Sequence, residues 1–311
     1  MAVVELKDVV KRYGSKLSVD HLNLRVEDGE IFGLLGPNGA GKSTTISMIG
    51  GLLGLDHGEI RVDGISVAKH PLDVKRRIGL VPQDLALYEN MKAVDNVTFF
   101  AKLYGLRGDQ LKARVQEALE FVGLQNHARE LPQTFSGGMK RRLNIACSIT
   151  HRPKVIIMDE PTVGIDPQSR NHILDSVREL NRMGSTIIYT SHYMEEVAAI
   201  SSRVAIMDQG HVIASGTQKE LKERLGQAER ILIQTHDDTA AVVSELKLFP
   251  HVTQVAAEEG TLEITLPSSQ LNLQDILFVC AKHNVSIQSL VCEEPDLETL
   301  FLQLTGRTLR D

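Results

Sequence analysis

The run Gly36-Pro37-Asn38-Gly39-Ala40-Gly41-Lys42-Ser43-Thr44 fits the spacing G-x-x-x-x-G-K-[ST], which suits holding the phosphates of a nucleotide. Backbone N–H groups must close around an anion there, and a Cβ would block their approach. A helix that leaves such a loop aims its N-terminal amides, with a partial positive charge, at the same phosphates. Lys42 would reach the β/γ-phosphates and Ser43 would place its hydroxyl on Mg²⁺. A second element, Val155-Ile156-Ile157-Met158-Asp159-Glu160, is an apolar strand ending in two carboxylates. Such charges must emerge at a site, because buried unpaired charge is very costly. Asp159 is placed to hold the Mg²⁺ shell, and Glu160, one residue on, to polarise an attacking water as general base. A third element is Phe135-Ser136-Gly137-Gly138-Met139, followed by Lys140-Arg141-Arg142 and the apolar stretch Leu143 to Ile149. Serine and two glycines at a helix start form another anion cradle, or a plain helix cap. Lys140 to Arg142 equally fit a solvated face. One nucleotide does not need two cradles in one subunit, so the second would face a nucleotide held by another chain.

These groups need elements to carry them. Ile31-Phe32-Gly33-Leu34-Leu35 predicts a buried strand entering the glycine loop, and Thr44 to Ile49 a helix leaving it. Val3–Val10 and Ser18–Val26 show period-two apolarity, with turns at Gly29-Glu30 and Asp63-Gly64. From about Asp84 to Arg152 the pattern turns helical, with Leu111, Val115, Ala118, Leu119 and Val122 at helix spacing. Strands return at Val155–Met158, Ser185–Thr190 and Val204–Met207. Apolar runs separated by helices predict a buried parallel sheet, hence an α/β domain with a helical insertion.

After Gly216 the character changes. Lys219 to Leu225 predicts a charged helix ending near Gly226. Strand 230–235, helix 239–248, strands 252–257 and 262–266 turning at Glu259-Gly260, helix 273–283, strand 285–291 and a last helix 297–304 follow. That β-α-β-β-α-β order predicts a small ferredoxin-like α+β domain. The expected boundaries are 1–218 for the first domain, with its helical part at about 84–152, and 219–311 for the second.

At 311 residues the chain has room for a sizeable core. A net charge of −6 gives no basic field, so no nucleic acid is expected as a partner. Cys147, Cys280 and Cys292 are odd in number, lack C-x-x-C spacing and sit in apolar surroundings. They are expected to be buried thiols, in keeping with a cytoplasmic location. The start of the chain lacks a signal-peptide layout, and the longest apolar stretch, Ile46 to Leu55, is half the ~20 residues a membrane span needs.

Taken in order, the residues from about 3 to 217 resemble the ATP-binding subunit of ABC transporters, a P-loop NTPase. In that resemblance Gly36–Thr44 is the Walker A loop, and Asp159 and Glu160 are Walker B and the catalytic base. Tyr13 is similar to the aromatic that stacks on adenine. Gln83, in Val81-Pro82-Gln83, matches the glutamine that touches Mg²⁺ and water. Ser136, Gly137 and Gly138 lie in the family signature. Val163-Gly164-Ile165-Asp166 matches the loop where two subunits meet, and His192 resembles the switch histidine at the γ-phosphate. The signature departs from the usual Leu-Ser-Gly-Gly-Gln in having Phe135 and Met139, and Gly164 stands where an alanine-type residue is commoner.

The resemblance implies a head-to-tail dimer enclosing two ATP molecules with Mg²⁺, each between Gly36–Thr44 of one subunit and Ser136–Gly138 of the other. It also implies a separate permease, engaged by residues 84–104, with Leu85, Leu87, Tyr88, Phe99 and Phe100 as candidate contacts. The tail from Pro295 to Asp311 and the stretch Tyr189 to Glu196 resemble the daunorubicin-type drug-resistance branch, which pairs with ABC-2-type permeases. The implied role is antibiotic efflux, linear polyenes included, from the inner face of the cell membrane. Export of sodium or of cell-surface polymers is close to it. A soluble ABC ATPase acting on ribosomes or DNA is the alternative from another class, opposed by the absence of a heptad run and of a basic tail.

Overall fold

A computed structural model describes residues 1–224, 229–258, 260–266, 269–293, 297 and 301. The chain divides into two compact units, Met1–Gln218 and Lys219–Leu304. In the first, β1 (Ala2–Tyr13) and β2 (Lys16–Glu27) pair antiparallel. Leu22, Leu24 and Val26 of β2 are buried and their alternates exposed, the pleat converting period two into one dry face. β3 (Ile31–Leu35) is buried throughout and leads to α1 (Lys42–Ile49). β4 (His57–Val62) and β5 (Ile65–Ser66) follow, joined through Asp63 and Gly64, both at positive φ. Then come α2 (Pro71–Lys75), β6 (Ile78–Val81), α3 (Ala93–Leu103), α4 (Gly108–Phe121) and α5 (Gly137–Ile149). β7 (Val155–Asp159), α6 (Pro167–Arg182), β8 (Thr186–Thr190), α7 (Met194–Ile200), β9 (Arg203–Asp208) and β10 (His211–Gly216) complete it.

Two sheets result. The first has the order β2-β1-β4-β5, the second β10-β9-β3-β8-β7-β6. In the second, all pairs among β9, β3, β8, β7 and β6 are parallel, and β10 is an antiparallel edge. Parallel strands all end on one side, so the loops after β3, β6, β7 and β8 gather there. That is the ligand side of an open parallel sheet. The helical stretch α3, α4 and α5 is inserted between β6 and β7. Val115, Ala118, Leu119 and Val122 are buried, and Leu111 half-buried. A core of Leu6, Leu22, Phe32, Leu34, Ile46, Ile60 and Ile188, among others, joins the two sheets around α1.

His151, just past α5, stacks on Tyr104 with ring centroids 3.5 Å apart. Its Nε2 donates to the Ile78 carbonyl at 3.1 Å, so a second proton would have to sit on Nδ1. That atom is buried without a hydrogen-bond partner among the described residues. Burial lowers the imidazole to about 4 from the ordinary 6.5. Between those values only the unfolded chain takes up the proton, so the stability is present above pH 6.5 and is lost as the pH falls toward 4. The loss should reach about 3 kcal/mol over that window. Urea denaturation at pH 7 and pH 5 checks this: His151→Gln should flatten the difference, and an equal difference in both proteins would refute it.

The second unit opens within α8 (Gln218–Arg224), whose first residue ends the first unit, then β11 (Glu229–Gln234), α9 (Ala240–Leu246), β12 (Gln254–Glu258), β13 (Thr261–Leu266), α10 (Ser269–Lys282) and β14 (Ser289–Glu293). Its sheet is antiparallel in the order β12-β13-β11-β14. Ile231, Ile233, Leu262 and Ile264 pack with Val242, Leu246, Ile276 and Val279 of its helices. The helix end at Gly226 and Glu259 of the predicted turn lie outside the described residues, as does nearly all of the predicted helix 297–304. Cys147 and Cys280 are buried, but Cys292 is exposed. It lies opposite the buried Ile231 near the end of β14, the edge strand of its sheet, where no further strand flanks it. No helix among the described residues is long and apolar enough to cross a membrane.

Candidate active site

The loop between β3 and α1 wraps back on its own lysine. Lys42 is 5 % exposed, and its Nζ donates to the carbonyls of Gly36 at 2.7 Å and Pro37 at 3.2 Å. Burial lowers the ammonium below its usual value, against the pull of Glu160 and Asp159. Gly41 has φ 102°, and a Cβ there would sit 2.5 Å from the Ser18 carbonyl oxygen. This loop therefore tolerates no side chain where the backbone must turn its amides outward.

The two carboxylates at the end of β7 meet different surroundings. Asp159 accepts a hydrogen bond from Thr190 Oγ at 2.7 Å. Glu160 is 7 % exposed, and its backbone N–H donates to the same Thr190 Oγ at 2.9 Å. It adopts φ 45°, a left-handed conformation that costs of order 1–3 kcal/mol and clusters at functional sites. One carboxylate oxygen lies 3.8 Å from Lys42 Nζ and the other 3.2 Å from His192 Nδ1. His192 follows β8, its ring centroid 4.2 Å from that of Tyr193. Parallel β3, β7 and β8 thus deliver a cation, a carboxylate and an imidazole to one point.

A cleft over this point is lined by Tyr13, Lys16 and Ser18 from the first sheet. On the other side lie Asn38, Gly39, Gly41, Lys42, Ser43, Thr44, Gln83 and Glu160. Tyr13 is half exposed, with Lys11 Nζ 6.0 Å from its ring centre. Ser18 Oγ lies 3.1 Å from Thr44 Oγ. Ser43 and Gln83 are exposed here and Asp159 half-buried. Hydroxyl, amide and carboxylate oxygens form the hard donor set that suits Mg²⁺, so these residues fit the ion. A separate cavity, lined by Arg114, Glu117, Phe121 and Lys154 among others, lies toward the N-terminal starts of β7 and β8 and holds none of the phosphate residues.

Ser136, Gly137, Gly138 and Asp166 do not line the cleft. Ser136 caps α5 by accepting from Met139 N–H at 3.2 Å, and Asp166 caps α6 through Ser169 N–H at 2.9 Å. A Cβ on Gly138 would lie 2.1 Å from Ser169 Oγ, so the two helix starts pack closely. Ser136 and Gly137 themselves face outward, exposed. Phe99 and Phe100 are half-buried, and with Tyr88 they form an aromatic cluster with centroids 5.2 to 6.5 Å apart.

Lys140-Arg141-Arg142 is no solvated face. Arg141 is 4 % exposed and donates to the Pro82 and Gln83 carbonyls at 2.7 and 2.6 Å, fixing the glutamine's backbone to α5. Arg142 donates to the Val122 carbonyl, and Lys140 pairs with Glu89. The signal was in the spacing: Gly138, Arg141, Ile145 and Ser148 share one buried helix face. Thr190, which bridges Asp159 and Glu160, was missed because nothing in a strand-end threonine marks it.

A glycine loop that leaves a parallel strand for a helix, with a strand ending in paired acids one strand away in the same sheet, defines a P-loop nucleotide hydrolase. Residues 19–163 match the family model described as ABC transporter. The linearmycin resistance ATP-binding protein LnrL of Bacillus subtilis is 46% identical over 99% of this chain and 100% of that protein. The daunorubicin/doxorubicin resistance ATP-binding protein DrrA of Streptomyces peucetius is 34% identical over 99% and 94%. Nod factor export ATP-binding protein I of Burkholderia thailandensis is 36% identical over 100% and 99%. The chain belongs to the ATP-hydrolysing subunits of ABC transporters, in the branch of the antibiotic-resistance ATP-binding proteins. A solved structure of an ATP-binding subunit of an ABC transporter superposes with TM-score 0.67 at 29% identity, over 72% of this chain and 93% of that one. A post-hydrolysis dimer of an ATP-binding cassette bound to ADP and Pi gives 0.63 at 27%, over 69% and 98%.

Proposed function

We propose that this chain powers the export of an antibiotic, with linear polyenes as the favoured cargo class, through a separate ABC-2-type permease at the inner face of the membrane. The observation that carries the cargo class is the 46% identity, end to end, with a linearmycin resistance ATP-binding protein. The Nod factor export relatives match over the same length, so export of a molecule other than an antibiotic is the second reading.

In the proposed site Tyr13 stacks on adenine, while Gly36 to Thr44 and Lys42 take the phosphates. Ser43, Gln83 and Asp159 would hold Mg²⁺, which neutralises phosphate charge when bound. Glu160 polarises the attacking water, and His192, 3.2 Å from it, donates to the γ-phosphate. Ser136, Gly137 and Gly138, with Asp166 nearby, would close over the nucleotide of a second subunit. The exposure of Ser136, Gly137 and Asp166 outside their own cleft supports that role. Nucleotide negative charge would draw the two cradles together, and its loss on hydrolysis would release them.

The test is detergent extraction of the tagged chain from its own membranes, with identification of what co-purifies. A stoichiometric polytopic permease is expected, and reconstituted vesicles should move a polyene in step with ATP hydrolysis. Ribosomes or DNA in its place would overturn export and leave the ATPase standing. A permease that moves only other cargo would overturn the polyene assignment alone.

A further inference from the structure

Glu196 is a carboxylate buried to 3 % exposure that the hydrolysis steps above do not use. It lies on α7, four residues beyond His192. One of its oxygens, Oε2, accepts hydrogen bonds from three hydroxyls: Thr162 at 2.6 Å, Tyr189 at 2.9 Å and Ser191 at 3.2 Å. These come from two segments of the site, the loop after β7 and the end of β8 with the turn that follows it. Thr162 is two residues after Glu160, Tyr189 lies inside β8, and Ser191 immediately precedes His192. Ser191 Oγ also accepts from the Tyr193 backbone N–H at 2.9 Å, so the turn carrying His192 is held from both sides.

The other oxygen, Oε1, lies 3.3 Å from Arg170 Nε on α6. Neither of those two atoms makes a hydrogen bond among the described residues, so the charges attract without a directional bond. Arg170 also lies over the Tyr193 ring, 5.0 Å from its centre, and its N–H bonds back to the Asp166 carbonyl. Between Glu160 and Asp166 the chain makes two tight turns, Val163 N–H to the Glu160 carbonyl and Ile165 N–H to the Thr162 carbonyl. Fixing Thr162 therefore fixes the loop on both sides, toward Glu160 and toward Asp166. A buried carboxylate is costly unless such partners satisfy it, and here the partners are the loops that must be held in register.

We propose that Glu196 is a positioning residue for hydrolysis: it ties the Glu160–Asp166 loop to the His192 turn and so sets the separation of Glu160 and His192. This rests on the assignment of those two residues to the hydrolytic step. Glu196 is buried and does not line the nucleotide cleft, so its loss should act on turnover and not on ATP affinity.

The experiment is steady-state ATP hydrolysis by the full chain, normalised to folded protein, for wild type, Glu196→Gln, Thr162→Val, the double variant and Glu160→Gln. Glu196→Gln should lower kcat at least about tenfold with KM for ATP changed less than about twofold. Thr162→Val should lower kcat less, and the double variant should be no worse than Glu196→Gln alone, because both remove one shared contact. A kcat for Glu196→Gln within about twofold of wild type, or kcat and KM effects that vanish on normalisation, would overturn the proposal. If Glu196→Gln does not fold, Thr162→Val carries the test, and a wild-type kcat there overturns it equally. Hydrolysis persisting in Glu160→Gln would sink the underlying site assignment instead, whatever Glu196→Gln does.

Discussion

Glu160→Gln is expected to lower ATP hydrolysis by about 10²- to 10⁴-fold while ATP binding is retained. The substitution keeps the shape of the side chain and its backbone anchor, since the Glu160 N–H donates to Thr190 at 2.9 Å. What it removes is a carboxylate placed between Lys42 at 3.8 Å and His192 at 3.2 Å. An amide cannot take a proton from water at neutral pH, so the chemical step fails. It also removes one negative charge from a cleft that must take a polyanion, so affinity should hold or rise. With ATP present the variant should run as a dimer in gel filtration, because the event that opens the pair is missing. Single-turnover measurement of phosphate release decides the matter. Retained hydrolysis would move the base elsewhere, and Asp159 at the same strand end is then the first residue to substitute.

The parts of this site that follow each other along the chain were legible without a structure. Gly36 to Thr44, Asp159 and Glu160 carry their chemistry in their spacing, and strands of continuous apolar residues such as Ile31–Leu35 announced their own burial. β4 was missed because only Ile60 and Val62 of it are buried while His57, Gly58, Arg61 and Glu59 face outward or sideways. β6 and β10 were missed for related reasons, one being four residues long and the other an edge with a single buried residue. What sequence cannot supply is convergence: Glu196, Thr162, Tyr189 and Ser191 are unremarkable until three hydroxyls meet on one carboxylate oxygen. Arg141 lies between the two cases, since its helix phase was readable but the carbonyls it holds at Pro82 and Gln83 were not.

A mixture of two inactive variants should recover activity. Lys42→Met keeps the buried side-chain volume and deletes the cation, and should cut hydrolysis by at least about 10²- to 10³-fold. Ser136→Asp is the partner, chosen because aspartate caps a helix as well as serine does, so α5 should still start at Gly137. It places a carboxylate where the second cradle would meet phosphate, and like charges repel there. Ser136 is exposed, outside the cleft that holds Lys42 of its own chain. If its phosphate belongs to another subunit, a mixed pair has one damaged site carrying both lesions and one intact site carrying neither. Equal mixing gives mixed pairs half the time, so about a quarter of the wild-type sites should be restored. ATPase assay of the two proteins alone and after joint refolding or co-expression reads this directly. A mixture no better than the average of its parents would mean that Ser136 serves its own subunit or none. The head-to-tail arrangement would then fall, while the assignment of Lys42 would stand on its own variant.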